Sequence, residues 1–247
     1  MPGLGLTINR TGPGTGPILP VALHSNGVGG ASHRYVPERL NLATGAPITK
    51  VPDLIGTYDL TQVSAGTYSP IVGETGGQRY LKWGYAGPTK YLQNIAADLG
   101  TVFTFATLIR MSVAASPLAL YADGYKARVY GNGQWGLEGG NGAGAAGVLG
   151  YMARPSAFAL LTAVCDGANS KLQIDGTTLT PTTATIVGAD PTNNDVLRWG
   201  YPVASSTLVS PEEHAIVEQN IWPFALTADQ RAAHYAAMRA KWTALLA

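Results

Sequence analysis

Cysteine is nearly missing from this chain. Cys165 stands alone among 247 residues, which excludes an internal disulfide framework and any zinc site built on cysteine. A small buried hydrophobe is the expectation for it. Charge is scarce as well: acidic and basic residues make up 13% of the chain, against roughly 25% in an ordinary soluble domain. With a formal net charge of +1 there is no basic stripe to track a phosphate backbone, so no nucleic acid partner is expected. Long apolar runs are absent too. Nothing approaches the ~18 residues of a membrane span, and the opening MPGLGLTINRTGPG has no run of leader-peptide length, so neither membrane insertion nor export is expected. What fills the space left by charge is glycine, proline, threonine, serine and asparagine, beside an ordinary 46% of apolar residues. Such a surface suits neighbouring subunits or a neutral ligand such as sugar.

Residues 1–35 differ from the rest. Gly and Pro recur through LGLTINRTGPGTGPILPVALHSNGVGGASHRY, and this composition predicts an extended arm with a short strand at Ile18 to Leu23. Residues 36–247 read as one domain. Short apolar or alternating runs separated by turn signals predict strands at Thr57 to Val63, Arg79 to Trp83, Thr101 to Met111, Leu118 to Ala122, Ala127 to Tyr130, Trp135 to Leu137, Phe158 to Cys165, Lys171 to Ile174, Thr177 to Leu179, Asp195 to Gly200 and His214 to Ile221. Asp175-Gly176 is a hairpin turn signal between two of them. The last segment changes period. Thr227 stands three residues before Gln230, the spacing of a capping box, and Tyr235, Met238, Trp242 and Leu245 then share one helical face.

This order of elements resembles the concanavalin A-like jelly roll in its laminin-G-like form, of the kind found in bacteriophage virion proteins. The residues that carry the likeness are VPDLIGTYDLTQ, GGQRYLKWG, TVFTFATLIRM, LLTAVCDGANSKLQIDG and the closing IVEQNIW strand with its ALTADQRAAHYAAMRAKW helix. The resemblance implies an all-β jelly-roll sandwich with one C-terminal amphipathic helix and an extended N-terminal arm.

Some jelly rolls of this type hydrolyse polysaccharides, which takes two carboxylates about 5 to 9 Å apart across the scissile bond. The hydrolases of the fold cluster them on one strand, and no such cluster exists here. Glu212 and Glu213 are adjacent, and Glu218 sits alone, where the family often carries a glutamate for structural pairing. The strings GNGQWG (131–136) and GAGAAG (142–147) match a dinucleotide fingerprint in letters, but neither opens a helix. DPTNND (190–195) offers oxygen ligands that calcium could use, and an Asx-turn loop is the plainer reading. His24, His33, His214 and His234 lack ligand spacing, so no metal and no cofactor are expected.

Aromatics are the remaining candidates, because a sugar ring stacks on an exposed Tyr or Trp while polar side chains reach its hydroxyls. Trp83, Tyr85 and Tyr91 crowd one segment. In YADGYKARVYGNGQWG the rings of Tyr121, Tyr125, Tyr130 and Trp135 accompany Asp123, Arg128 and Asn132, and these seven residues are the candidate carbohydrate site. The chain is thus expected to be a non-enzymatic structural component of a phage-like particle, a head decoration or a tail or fibre protein located in the virion. The arm would anchor it to other virion proteins, with homo-oligomerisation, a trimer foremost, and glycan adhesion at a cell surface. A free carbohydrate-binding lectin and a polysaccharide-degrading enzyme are the alternatives.

Overall fold

Period-two alternation sets the architecture. A computed structural model describes residues 27–63, 69–83, 91–110, 118–129, 134–140, 146–153, 157–179, 186–189, 196–202 and 214–246. In chain order the first strands are β1 (His33–Tyr35), β2 (Lys50–Val51), β3 (Leu60–Gln62), β4 (Ile71–Thr75), β5 (Gln78–Trp83), β6 (Leu92–Asn94), β7 (Phe103–Arg110) and β8 (Leu118–Ala122). There follow β9 (Tyr125–Val129), β10 (Gln134–Gly140), β11 (Ala146–Ala153), β12 (Ala159–Cys165), β13 (Lys171–Ile174), β14 (Thr177–Thr178), β15 (Leu197–Pro202) and β16 (His214–Trp222), with helix α1 (Ala228–Lys241) last.

The strands form two antiparallel sheets. Sheet A runs β14-β13-β12-β7-β16-β5-β4, with β1 also on β16, and sheet B runs β11-β10-β9-β8-β15-β6-β3-β2. Between them lies the main core. Phe103, Phe105 and Ile109 from β7 meet Trp199, Leu120, Tyr125 and Trp135 from sheet B. The alternate residues of β7, Ala106 and Leu108, face the other way and pack with Val217 and Trp222 of β16 under Met238, Trp242 and Leu245. The order of layers is therefore sheet B, sheet A, helix. Central strands buried on both faces read as near-continuous apolar runs, as β7 does in FTFATLIR.

The helix begins as its sequence predicts. Thr227 Oγ1 accepts from the Gln230 N–H at 3.3 Å and Gln230 Oε1 accepts from the Thr227 N–H at 2.9 Å, the reciprocal bonds of a capping box. Its buried face also carries Arg231 and His234. Arg231 donates from Nε to Gln173 Oε1 at 2.9 Å, and His234 meets the Trp222 ring edge-on at 4.9 Å.

Two features tie the layers together with buried polar groups. Trp199 of sheet B donates to Gln219 Oε1 at 2.8 Å, and Gln219 Nε2 donates to Thr107 Oγ1 at 2.9 Å, a bridge across the main core. On the helix side Glu218 is fully buried and accepts from Arg34 Nε at 3.0 Å, Asn220 Nδ2 at 3.1 Å, Trp242 Nε1 at 3.0 Å and the Lys241 ammonium. Burial alone would push its carboxyl up; Lys241 and Arg34 outweigh that and hold it below the ordinary range.

The sequence-level boundary at residue 35 falls inside the sandwich. Val28 belongs to the helix-side core, β1 pairs with β16, and Tyr35 is fully buried. The rest of the expected arm, with the strand at Ile18 to Leu23, lies outside the described residues. Strands β1, β2, β4, β6 and β11 had no prediction. Three of them are two or three residues long, and GVLGYMA in β11 has no polar alternation to mark it.

Candidate functional site

The hairpin of β8 and β9 decides which predicted site residues share a face. It turns through Asp123 and Gly124, both with positive φ (42° and 79°), as a two-residue Asp-Gly loop requires. Alternation then splits the segment. Leu120, Ala122, Tyr125, Ala127, Trp135 and Leu137 all belong to the core between the sheets. Tyr125 is 1% exposed and Trp135 2%. The Tyr125 ring meets Phe103 edge-on at 5.6 Å, and its hydroxyl accepts from the Gly167 N–H at 3.0 Å. Asp123 is buried, and its Oδ2 accepts from the Leu99 N–H at 2.9 Å. These three residues build the fold, and their rings and carboxylate present no stacking surface. Tyr130 and Asn132 lie outside the described residues, as do Tyr85, Glu212, Glu213 and the DPTNND loop.

Tyr121 and Arg128 hold the other phase. The register of sheet B runs Lys50↔Thr61, Thr61↔Gln93, Gln93↔Arg198, Arg198↔Tyr121, Tyr121↔Lys126, Lys126↔Glu138 and Glu138↔Val148. This row crosses the whole sheet. Beside it runs a second row, Tyr201↔Ala119, Ala119↔Arg128, Arg128↔Gly136 and Gly136↔Tyr151. Neighbours of these positions along each strand, such as Leu120, Ala127, Leu137, Leu197 and Trp199, face the core, so both rows occupy the face turned away from it.

The row is held by its own contacts. Arg198 Nε donates to Gln93 Oε1 at 3.1 Å, and Thr61 Oγ1 donates to the Gln93 carbonyl at 3.4 Å. Lys126 and Glu138 form an ion pair whose side chains are 17% and 4% exposed. At the far end Lys50 reaches Asp59 at 2.7 Å. Exposure falls along the row: Lys50 and Thr61 are open, Gln93, Arg198 and Lys126 are half-buried, and Glu138 is buried. A face that mixes a guanidinium, an amide, hydroxyls and a desolvated ion pair can direct several hydrogen bonds at one polyhydroxylated ligand. Sequence reasoning missed Gln93, Arg198, Lys126 and Glu138 as site residues. Their signal was alternation opposite Leu92, Leu197, Ala127 and Leu137.

A second polar cluster lies where β1 meets the loop after β2. His33 Nδ1 lies 2.6 Å from Asp53 Oδ2, and the His33 ring stacks on Tyr58 at 4.8 Å. Asp53 also accepts from the backbone N–H groups of Arg34, Ile55, Gly56 and Tyr58. Burial raises its carboxyl, but the His33 bond and the backbone donors together hold it below the ordinary range. A Cβ at Gly56 would stand 2.4 Å from His33 Nδ1, so the loop closes tightly over the pair. With Asp53 bonded both to β1 and to the N–H groups of its own turn, the cluster is a loop clasp. No group of three or more metal-ligating side chains occurs among the described residues. Cys165 is buried and its thiol is pushed well up by burial, so it is a core residue.

No family model matches the chain, and no curated protein matches it in sequence. Solved structures do match in shape. The binding domain of botulinum neurotoxin serotype D/C aligns with a TM-score of 0.61 at 8% identity, over 85% of this chain and 52% of that one. The receptor binding domain of botulinum neurotoxin type G gives 0.57 at 12%, over 84% and 51%. The Trypanosoma rangeli sialidase in complex with sialic acid gives 0.54 at 13%, over 87% and 34%. The chain thus spans about half the length of the toxin domains, or less for the sialidase. At these identities the likeness is one of fold: an all-β jelly-roll sandwich, here with one C-terminal helix.

Proposed function

We propose that this chain is a non-enzymatic, lectin-like module that binds glycans on the face of sheet B turned away from the core. The observation that supports it best is the cross-sheet row Thr61, Gln93, Arg198, Tyr121, Lys126 and Glu138, with Arg128 in the adjoining row. The row sets hydroxyl, amide and guanidinium groups side by side on a rigid sheet, which is what orienting a sugar's hydroxyls demands. The likeness to a neurotoxin type C whose cell entry depends on two ganglioside molecules, and to a sialidase holding sialic acid, leans the same way. The alignment covers 51% of the former and 34% of the latter, so their ligands are models for a first screen only.

The usual glycosidase mechanism needs a second carboxylate near the first, and Glu138 is the one carboxylate in either row, which favours a binding role. The test is a glycan array with the full chain, followed by Arg198→Ala and an assay for reducing ends on every hit. Binding that Arg198→Ala weakens about tenfold or more, with no release of reducing ends, supports the module. Hydrolysis abolished by Glu138→Gln would replace it with an enzyme.

The finer placement, in the virion of a phage-like particle with residues 1–35 anchoring a homo-oligomer to other virion proteins, is a second reading. A chain with only 13% charged residues supports it, because few charges need desolvation on assembly. Light scattering on the full chain tests it: a defined trimer favours it, and a monomer at all concentrations removes its anchor.

A further inference from the structure

We propose that the helix side of sheet A, near its β13–β14 edge, holds a doubly charged oxyanion, a phosphate or sulfate group, between Arg231 and Lys171. Arg231 is 8% exposed, and among the described residues it meets no carboxylate. Its Nε donates to Gln173 Oε1 at 2.9 Å and its Nη1 to the Leu226 carbonyl, both neutral acceptors. Two of the five guanidinium N–H groups are used in this way, which leaves three for a ligand. Burial pushes the guanidinium down, and no neighbouring charge offsets that shift. Five other cations are treated differently. Arg34 and Lys241 meet Glu218, Lys50 meets Asp59, Arg79 meets Glu74 and Lys126 meets Glu138. A cation withdrawn from water without a counter-charge is unfavourable, and a bound anion relieves it.

Lys171 supplies the second charge. On β13, Leu172 and Ile174 belong to the core between the sheets, so Lys171 and Gln173 share the opposite face, about 7 Å apart along the strand. Gln173 lies between Thr162 of β12 and Thr178 of β14 in the register. It donates from Nε2 to Thr178 Oγ1 at 2.6 Å, which fixes its amide with the oxygen on Arg231. Lys171 is exposed and, among the described residues, unpaired. Asp175, in the turn that follows β13, has Arg239 as its neighbouring cation. Asp229, two positions before Arg231 on α1, is exposed and not paired with it. A planar guanidinium grips two oxygens of an oxyanion at once, and a lysine ammonium adds a movable point charge. Two uncompensated cations call for a dianion, since a single carboxylate would neutralise one of them. This edge belongs to the other sheet, so the site is independent of the glycan face.

The experiment titrates the full chain at constant ionic strength with inorganic phosphate, inorganic sulfate, glycerol phosphate and acetate. A pH of about 7.5 keeps the phosphate monoester doubly ionised. Amide chemical shifts at Lys171, Gln173 and Arg231 are followed. Phosphate or sulfate should move all three and saturate, with acetate about tenfold weaker. Glycerol phosphate tighter than inorganic phosphate assigns the group to a larger molecule, and the reverse order assigns it to a free ion. Arg231→Gln should abolish saturation. Because that change reaches buried contacts, Lys171→Gln at its exposed position carries the test as well, and should weaken binding about tenfold. Arg79→Gln, a cation on β5 paired with Glu74, should leave binding unchanged. Acetate binding as tightly as phosphate overturns the dianion. Absence of saturation overturns the site. Equal affinity in Lys171→Gln and Arg79→Gln overturns it too, because phosphate and sulfate also act on any protein through exclusion from its surface.

Discussion

At the scale of single residues the molecule depends on a few buried polar groups, each with its partners in place. Glu218 is the most heavily committed, accepting from two cations, an indole and an amide with no exposure at all. Glu218→Gln would leave Arg34 and Lys241 buried against a neutral group, and the expected loss is about 3 kcal/mol in urea unfolding. Replacing Gln219 by Leu would orphan the Trp199 N–H in the main core, for about 2 kcal/mol. Glu218 and Asp53 both have folded-state pKa values below those of the unfolded chain. As pH falls the unfolded chain therefore takes up protons first. The stability these groups supply is complete above about pH 5 and drains away as pH drops through about 4 and below. The urea midpoint should be flat from about pH 8 to about pH 5 and fall steeply below pH 4, and in Glu218→Gln that fall should be shallower. Burial shifts Lys241 downward, and Glu218 partly offsets that shift.

At the scale of elements, local signals were legible and phase was not. The capping box at Thr227 needs only four consecutive residues, and it formed as read; Thr227→Ala should cost about 1 kcal/mol in thermal or urea unfolding. The Asp175-Gly176 turn was equally local: both residues have positive φ, and Asp175 Oδ1 accepts from the Leu160 N–H at 2.8 Å. The candidate sugar site was a different matter. Reading YADGYKARVYGNGQWG by crowding merged two faces, whereas the strand period assigns Tyr125 and Trp135 to the core with Ala127 and Leu137. The partners that complete the row, Gln93 and Arg198, come from β6 and β15, about a hundred residues apart in sequence, and only the sheet order brings them together. Gly200 marks where that order is most demanding. It interrupts the β15–β8 register with φ of 74°, and a Cβ there would stand 2.5 Å from the Trp83 ring. Gly200→Ala should thus lower the melting temperature by several degrees, more than the propensity difference alone, which works out at about 1 kcal/mol.

For the molecule as a whole, the fold was legible from the order of elements because a sandwich announces itself through many short strands and one change of period. Sequence comparison is silent, while the shape is shared with toxin binding domains and a sialidase at 8% to 13% identity. Packing two sheets face to face constrains which positions are apolar far more than which residues fill them. That freedom leaves the outer face of sheet B open to specialisation. The measurement that bears most directly on the account is amide chemical-shift mapping of the full chain titrated with the strongest glycan from the array. The account predicts shifts concentrated at Thr61, Gln93, Arg198, Lys126 and Glu138, on β3, β6, β15, β9 and β10. Shifts clustered instead on β12, β13 and helix α1, with the sheet B row unmoved, would contradict it.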